Sequence, residues 1–276
     1  MKPLWAIQKF AVNDDDSKGM VDAITSLGLS YHILEIPPFS YDNISPVDYD
    51  GPVIPYGGTK FIDAIKNQKG WFCVFNDDFR YSLAVEKLGY RMFNSDGKFM
   101  RMKDFSPSVF KDQEHLFIRP DKDIKEFAGN VIKPYDFMQW KVQIEAKGWG
   151  VNEDTDILVA PASRIDEEWR VYVVDGKVID GSRYRMDHYQ SIIHELPDNV
   201  ISYVYASIRV WQPAPFFVMD VCRVSDSLSI LEIGDLHSAG FYASDKTKII
   251  KAVSDYVENF KETSYPHIIK RNIIPL

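Results

Sequence analysis

Two apolar segments joined by a polar turn each carry one acid near the centre, and this feature restricts the fold more than any other. Phe216–Val224 contains Asp220, and Leu228–Ile233 contains Glu232. Both acids are symmetric about Asp226, so a hairpin with a three-residue loop places them opposite each other, with Cβ atoms about 5 Å apart. Burying two like charges so close is costly unless a cation neutralises them. The pattern therefore predicts a buried hairpin that binds a divalent cation such as Mg²⁺; the alternative is a surface hairpin with two solvated acids.

The remaining hydrophobic pattern divides the chain into two differently built parts. The first 95 or so residues alternate apolar strands with amphipathic helices, which is typical of a parallel α/β layer. The predicted strands there are Leu4–Phe10, Tyr31–Ile36, Val53–Tyr56 and Trp71–Phe75. From about residue 100, short strands follow one another through tight turns such as Asp175-Gly176, which indicates an antiparallel α+β part. A final amphipathic helix is expected over Lys246–Phe260.

Composition excludes several classes of protein. The 276 residues contain 32 Lys and Arg against 40 Asp and Glu, so the net charge is −8 and binding to a nucleic-acid backbone is not expected. No apolar run approaches the roughly 20 residues of a membrane helix, and the N-terminus has no signal-peptide pattern. Cys73 and Cys222 lie in apolar runs and are expected to be buried and unpaired, which is typical of a cytoplasmic protein.

A second group of candidate residues lies on the predicted strand Glu168–Val174. Alternation along the strand places Glu168 and Arg170 on one face, where a guanidinium group suits the binding of phosphate oxygens. The next strand carries Arg183 and Arg185, which are predicted to share a face of the same sheet. The alternative is a set of Arg–Glu pairs on an exposed sheet.

A third group combines a strand, a polar loop and a second strand. Arg119 ends the strand that starts at Leu116, and Lys125 and Gly129 lie in the following loop. A loop of this kind can fold over phosphates, and Gly129 allows close approach of the backbone. Single basic residues of this sort are otherwise usually solvated.

The order of these segments resembles the ATP-grasp superfamily. VIPYGGTKF and YRMFNSD in the pre-grasp part, then FIRP, K-x-F-x-G, ILVAP, EWRVYVVDGKVIDGSRY and LEIGDLHSAGFY, follow one another over about residues 50–260. The chain is most similar to the clade in which Arg replaces the usual phosphate-binding Lys. The resemblance implies an α/β plus α+β architecture, with a pre-ATP-grasp domain over 1–97, an ATP-grasp domain over 98–262 with lobes 98–160 and 161–262, and a tail over 263–276.

The resemblance also implies roles for individual residues. ATP phosphates would be bound from the first lobe, and Arg170 would bind phosphate or acyl-phosphate oxygens. Mg²⁺ would be held by acids of the hairpin. Gly234 stands in place of the family's Asn, so either Asp235 supplies the oxygen one position later or a second metal is weakly held. Arg183 or Arg185 would bind a substrate carboxylate. The expected contacts are Arg119 and Lys125 with phosphate, Val159 and Ala160 of strand Ile157–Pro161 with adenine, Glu168 near the nucleotide, and Asp220, Glu232 and Asp235 with the metal.

The implied reaction is the ATP-dependent joining of a carboxylate to an amine, with an acyl-phosphate intermediate and release of ADP and phosphate. The substrate would be an amino acid or peptide, and no membrane partner is expected. The clade is associated with phage and bacterial systems, so the expected location is the bacterial or host cytoplasm. Two alternatives stay open: a nucleotide-binding module with impaired turnover, motivated by Gly234, and a phosphotransferase that acts on a hydroxyl group.

Overall fold

The computed structural model describes residues 1–9, 14–37, 41, 44, 47–66, 68, 70–74, 79–122, 126–147 and 150–260. Its strands are β1 (Leu4–Gln8), β2 (Ser30–Leu34), β3 (Val53–Tyr56), β4 (Lys98–Arg101), β5 (Leu116–Pro120), β6 (Asn130–Ile132), β7 (Asp156–Pro161), β8 (Glu167–Val174), β9 (Lys177–Met186), β10 (Tyr189–Ile193), β11 (Phe216–Val224) and β12 (Ser227–Gly234). Its helices are α1 (Asp14–Ser26), α2 (Thr59–Ile65), α3 (Tyr81–Leu88), α4 (Phe137–Glu145), α5 (Asp198–Ile208) and α6 (Lys246–Glu258).

The N-terminal part forms a parallel sheet with the order β2-β1-β3. Parallel neighbours need a crossover connection, and α1 supplies it between β1 and β2. The predicted parallel α/β layer is therefore confirmed. The predicted strand Trp71–Phe75 is wrong in its described part, because Trp71 forms only an isolated bridge to Val53. Phe75 lies outside the described residues.

Two antiparallel sheets follow, as the sequence predicts. The first lobe has the order β4-β7-β5-β6, and the second lobe has the order β10-β9-β8-β11-β12. At the predicted hairpin between β8 and β9, Asp175 and Gly176 both have positive φ values, 50° and 70°. Two consecutive positive φ values match the twist of the flanking strands, which explains why Asp-Gly stands there.

The segment 187–199 contains an edge strand and the start of a helix. Tyr189–Ile193 forms the edge strand β10, paired with β9, and α5 begins at Asp198. The strand is largely exposed and mixed in polarity, so its pattern lacks the alternation that identifies half-buried strands.

The hydrophobic residues form two separate clusters. One cluster joins the N-terminal sheet to the second lobe; Trp5 and Ile7 belong to it together with Trp169 and Phe217. The other cluster lies within the first lobe. A hydrogen bond from the indole of Trp5 to Ser254 of α6, at 3.0 Å, connects the ends of the larger cluster. The two lobes therefore have largely separate cores, although Leu158 of β7 belongs to the larger cluster.

Both cysteines are buried and neither forms a disulfide, as the sequence predicts. Cys222 lies on β11, two residues from Asp220. Within the described part of the chain, no helix combines the length and the apolar character that crossing a membrane would require.

Candidate active site

A cleft of about 530 Å³ lies between the sheets of the two lobes. This volume falls in the range of roughly 300–1,000 Å³ that is usual for small-molecule sites. Arg119 and Phe117 of β5 line one side of it, and Glu168 and Glu232 line the other. The cleft therefore contains residues from all three groups that the sequence singles out, including Glu232 of the hairpin.

Arg119 and Glu232 meet across this cleft. Arg119 Nη2 donates to Glu232 Oε1 at 2.6 Å, and the Arg119 side chain is only 12% exposed. Tyr81 lies beneath the guanidinium group, with its ring centroid 4.6 Å from Cζ. Arg119 thus stands at the lobe boundary, with an aromatic face on one side and a carboxylate on the other.

Asp220 and Arg170 form a buried, bidentate ion pair. Arg170 Nε and Nη2 donate to the two Asp220 oxygens, each at 2.8 Å, because Arg170 of β8 lies directly opposite Asp220 of β11. Burial alone would lower the pKa of Arg170, but the charge and hydrogen bonds of Asp220 hold that pKa well above its ordinary value. The guanidinium group is therefore permanently charged, and it neutralises one of the two hairpin acids.

The hairpin itself places Asp220 opposite Glu232, as the sequence predicts, but its turn differs. Val224 pairs with Ser227, so the loop has two residues rather than three. A bulge between Asp220 and Val221 then shifts the register by one residue, which returns Glu232 to a position opposite Asp220.

Two tyrosines complete the environment of Arg170. The hydroxyl of Tyr184 donates to Glu168 Oε2 at 2.6 Å and also lies 3.4 Å from Asp220 Oδ2. Tyr242 stacks on Tyr184, with ring centroids 4.8 Å apart, and lies 5.1 Å from the Arg170 guanidinium carbon. Burial raises the pKa of Tyr184, and the charges of Asp220 and Glu168 raise it further. The hydroxyl therefore acts as a neutral donor.

The three predicted metal ligands line one small cavity of about 30 Å³, together with Arg170. Carboxylate oxygens are the donors that Mg²⁺ prefers, so the chemistry of Asp220, Glu232 and Asp235 fits this ion. Among the residues that the structure describes, however, no group of three His, Cys, Asp or Glu is arranged to hold a metal. In this arrangement arginines serve as the counter-ions of Asp220 and Glu232. Gly234 also lines the cavity and offers no side-chain oxygen.

The prediction that Arg183 and Arg185 share a face of the sheet is wrong. Arg183 lies opposite Trp169, whereas Arg185 lies opposite Glu168, since a bulge inserts Tyr184 between them. Arg185 reaches the cleft and donates to Glu168 at 3.3 Å. Arg183 instead pairs with Glu167 at 2.9 Å. The geometry therefore gives Arg183 a place in an ion-pair network outside the cleft.

The predicted adenine contacts, Val159 and Ala160, are not among the residues that line the cleft in the described structure, and their role stays a prediction. Val159 pairs with strands on both sides, since β7 is central in its sheet, and Ala160 is fully buried. The cleft is lined instead by Ala162 and Ser163, which follow the strand. Lys125 lies outside the described residues.

Several residues of the cleft were not singled out by sequence reasoning. Tyr81, which packs against Arg119, lies outside the quoted motifs, and Tyr184, which contacts Glu168, is only the last residue of one of them; their importance depends on which strand or helix lies beside them. Phe93 and Asn94 line the cleft next to Glu232, and the main-chain N–H of Phe93 donates to the carbonyl of Ile230 at 2.8 Å. They belong to the segment 90–96, whose family resemblance could have indicated them.

Two antiparallel sheets that enclose a cleft, with arginines facing acids of a hairpin, define the class of the protein as an ATP-grasp fold. A family model described as an ATP-grasp domain of the R2K clade, family 3, matches residues 82–253. This stretch is more than half of the chain, so the chain belongs to that family. No curated protein matches the chain.

Solved structures share the same fold over nearly the whole chain. D-cycloserine synthetase DcsG aligns with a TM-score of 0.61 at 10% identity, covering 92% of this chain and 99% of that one. D-alanine–D-alanine ligase from Bacillus anthracis aligns with a TM-score of 0.56 at 12% identity, covering 98% and 97%. ATP-grasp ligase PsnB, complexed with a minimal precursor, gives 0.53 at 11% identity, covering 94% and 99%. At these identities the likeness is one of fold.

Proposed function

We propose that the chain is an ATP-dependent ligase that joins the carboxylate of an amino acid or peptide to an amine. One observation carries the proposal: Glu232 lines both the large cleft and the small cavity that contains Arg170 and Asp220. A nucleotide in the cleft would therefore place its phosphates beside Arg119, next to the cavity that the three predicted metal ligands line. The named relatives, a synthetase and two ligases, support this choice of reaction class.

The reaction proceeds in two transfers. A carboxylate oxygen attacks the γ-phosphorus of ATP, and the bond to the ADP oxygen breaks. The amine then attacks the acyl carbon, phosphate leaves, and the amine loses a proton. Arg119 and Arg170 bind phosphoryl oxygens that carry negative charge throughout, so their part is positioning and charge neutralisation.

Both arginines pair with carboxylates in the structure, Arg119 with Glu232 and Arg170 with Asp220. Phosphate oxygens are thus alternative partners for the same guanidinium groups, and their arrival releases Glu232 and Asp220 to bind a cation. We propose that these two acids and Asp235 hold Mg²⁺, which when bound neutralises phosphate charge. A structure of PsnB is described as a complex with Mg and ADP, which supports the proposal that a nucleotide and Mg²⁺ bind together.

The proposed nucleotide contacts are adjusted to the structure. Arg119 binds phosphates from the first lobe, Glu168 faces the nucleotide, and the segment at Ala162 and Ser163 takes the place of Val159 and Ala160 at the base. Arg185, rather than Arg183, is the arginine available inside the cleft. Lys125 remains a proposed phosphate contact.

The test is ADP release from Mg-ATP by the full chain, with pools of amino acids and short peptides. Release that depends on a carboxylate and an amine together is expected. ATP binding without release from any mixture would favour the module with impaired turnover. A phosphorylated product without an amide would favour the phosphotransferase.

A further inference from the structure

The residue that carries the further inference is Tyr81, the first residue of α3. Its side chain is 3% exposed, and its ring lies under the Arg119 guanidinium group. Tyr81 belongs to the segment that precedes the first lobe, whereas Arg119 lies on a strand of that lobe. The contact therefore fixes the cation from outside its own sheet.

The same helix start is tied to the strand end that carries Arg119. Asp121 accepts from the main-chain N–H and the hydroxyl of Ser82, each at 2.7 Å, and its carbonyl accepts from the N–H of Tyr81 at 2.8 Å. Asp121 follows Arg119 by two residues and is 6% exposed. These three hydrogen bonds fix the position of the Tyr81 ring relative to the Arg119 backbone.

The hydroxyl end of Tyr81 contacts a residue of the cleft wall. Its hydroxyl donates to the carbonyl of Phe93, and Phe93 lines the cleft beside Glu232. One side chain thus contacts the cation by its face and the adjacent cleft wall by its hydroxyl.

We infer that Tyr81 is a positioning residue that holds the Arg119 guanidinium group toward the nucleotide triphosphate. An aromatic face attracts a guanidinium group most strongly when water is excluded, as it is here. Without the ring, Arg119 would keep its charge but lose the surface that restricts its rotamers. The inference rests on the proposed function, because it assigns Arg119 to phosphates.

The experiment measures dissociation constants for ATP and for adenosine, which lacks phosphates. Tyr81→Leu removes the ring and is expected to weaken ATP binding by roughly 3- to 30-fold while leaving adenosine binding unchanged. Tyr81→Phe keeps the ring and should retain most of the ATP affinity. In an Arg119→Met background, Tyr81→Leu should have no further effect.

Other outcomes would contradict either the inference about Tyr81 or the proposed role of Arg119. Equal weakening of ATP and adenosine, or a further loss in the Arg119→Met background, would make Tyr81 a general structural residue and overturn the inference. If Arg119→Met weakens ATP binding and Tyr81→Leu does not, the inference fails and the proposed function stands. If Arg119→Met leaves ATP binding unchanged, the proposed role of Arg119 fails as well. If Tyr81→Leu does not fold, Ser82→Ala tests the same connection between α3 and the end of β5. This variant is expected to weaken ATP binding by a smaller factor and to leave adenosine binding unchanged. Unchanged ATP binding would contradict the inference.

Discussion

Arg119 of the first lobe donates to Glu232 of the second lobe at 2.6 Å, and this pair spans the cleft between two hydrophobic cores. The second pair, Arg170 with Asp220, lies within the sheet of the second lobe. Together the pairs explain how two acids can face each other in one hairpin, because each acid has a guanidinium counter-ion. The same guanidinium groups are then the phosphate-binding groups of the proposed reaction.

Glu232→Gln is expected to lower Mg-ATP turnover by roughly 100-fold, since the amide cannot supply the charge of a cation ligand. The Glu232 side chain is 33% exposed, so the fold should persist, with an unfolding free energy within about 1 kcal/mol of the parent. Steady-state ADP release and urea unfolding measure the two effects. Asp226→Asn, an exposed acid in the turn of the same hairpin, is the matched control and should change neither. Unchanged turnover in Glu232→Gln would remove Glu232 from the proposed metal site.

Asp220→Asn should behave differently, because it leaves the buried Arg170 without its counter-ion. Breaking a buried pair by removing one partner costs roughly 3–5 kcal/mol. Asp220 is 4% exposed, so the free energy of unfolding should fall by about this amount, in addition to the loss of turnover. The exposed pair of Arg164 with Asp187 is the control, and Arg164→Met should leave stability unchanged within error. Equal stability of both variants would contradict the buried pair.

The hairpin shows how far the sequence could predict the candidate site. Apolar flanks and symmetric spacing correctly place Asp220 opposite Glu232. In the structure, a two-residue turn and a bulge bring the two acids opposite each other. Spacing alone cannot distinguish this arrangement from a three-residue loop. The partner of Asp220 was not predicted at all, because β8 and β11 are neighbours only through a pairing of distant segments.

The second lobe shows why alternation fails locally. Arg183 and Arg185 are two apart, yet the bulge at Tyr184 turns them to different surroundings. A single inserted residue reverses the faces of every position beyond it, and nothing in SRYRM marks the insertion. The tyrosines at positions 81, 184 and 242 were missed for a related reason, since aromatic residues are more often core than site.

Gly129→Ala should weaken nucleotide binding. A Cβ atom at this position would lie 2.7 Å from Cζ and 2.8 Å from Cε2 of Phe117, and both residues line the cleft. The ring must shift into the cleft or away from its packed position, and such overpacking typically costs about 1–3 kcal/mol. The dissociation constant for ATP is therefore expected to rise, as measured by titration calorimetry. Ala128→Gly, next to it in the same wall, adds no atom and should leave the constant nearly unchanged; equal effects would contradict the steric argument.

The free energy of unfolding should fall as the pH rises above about 8.5, the ordinary pKa of a thiol. Burial raises the pKa of Cys222 to about 12. Between these values the folded chain keeps the thiol proton and the unfolded chain loses it, so unfolding is favoured as the pH increases, by up to about 1.4 kcal/mol per pH unit. Urea unfolding at pH 7.5, 8.5 and 9.5 measures the slope. Cys222→Ala should show a smaller slope, and an identical slope would contradict the assignment.

Transfer of oxygen from substrate to phosphate tests the proposed ligase reaction most directly. The full chain would be incubated with Mg-ATP and a pool of amino acids whose carboxylates carry ¹⁸O, and the products analysed by mass spectrometry. The expected products are ADP, an amide, and inorganic phosphate that contains one ¹⁸O atom for each amide formed. An amide with unlabelled phosphate, or ADP with a phosphorylated hydroxyl product and no amide, would contradict the acyl-phosphate ligase.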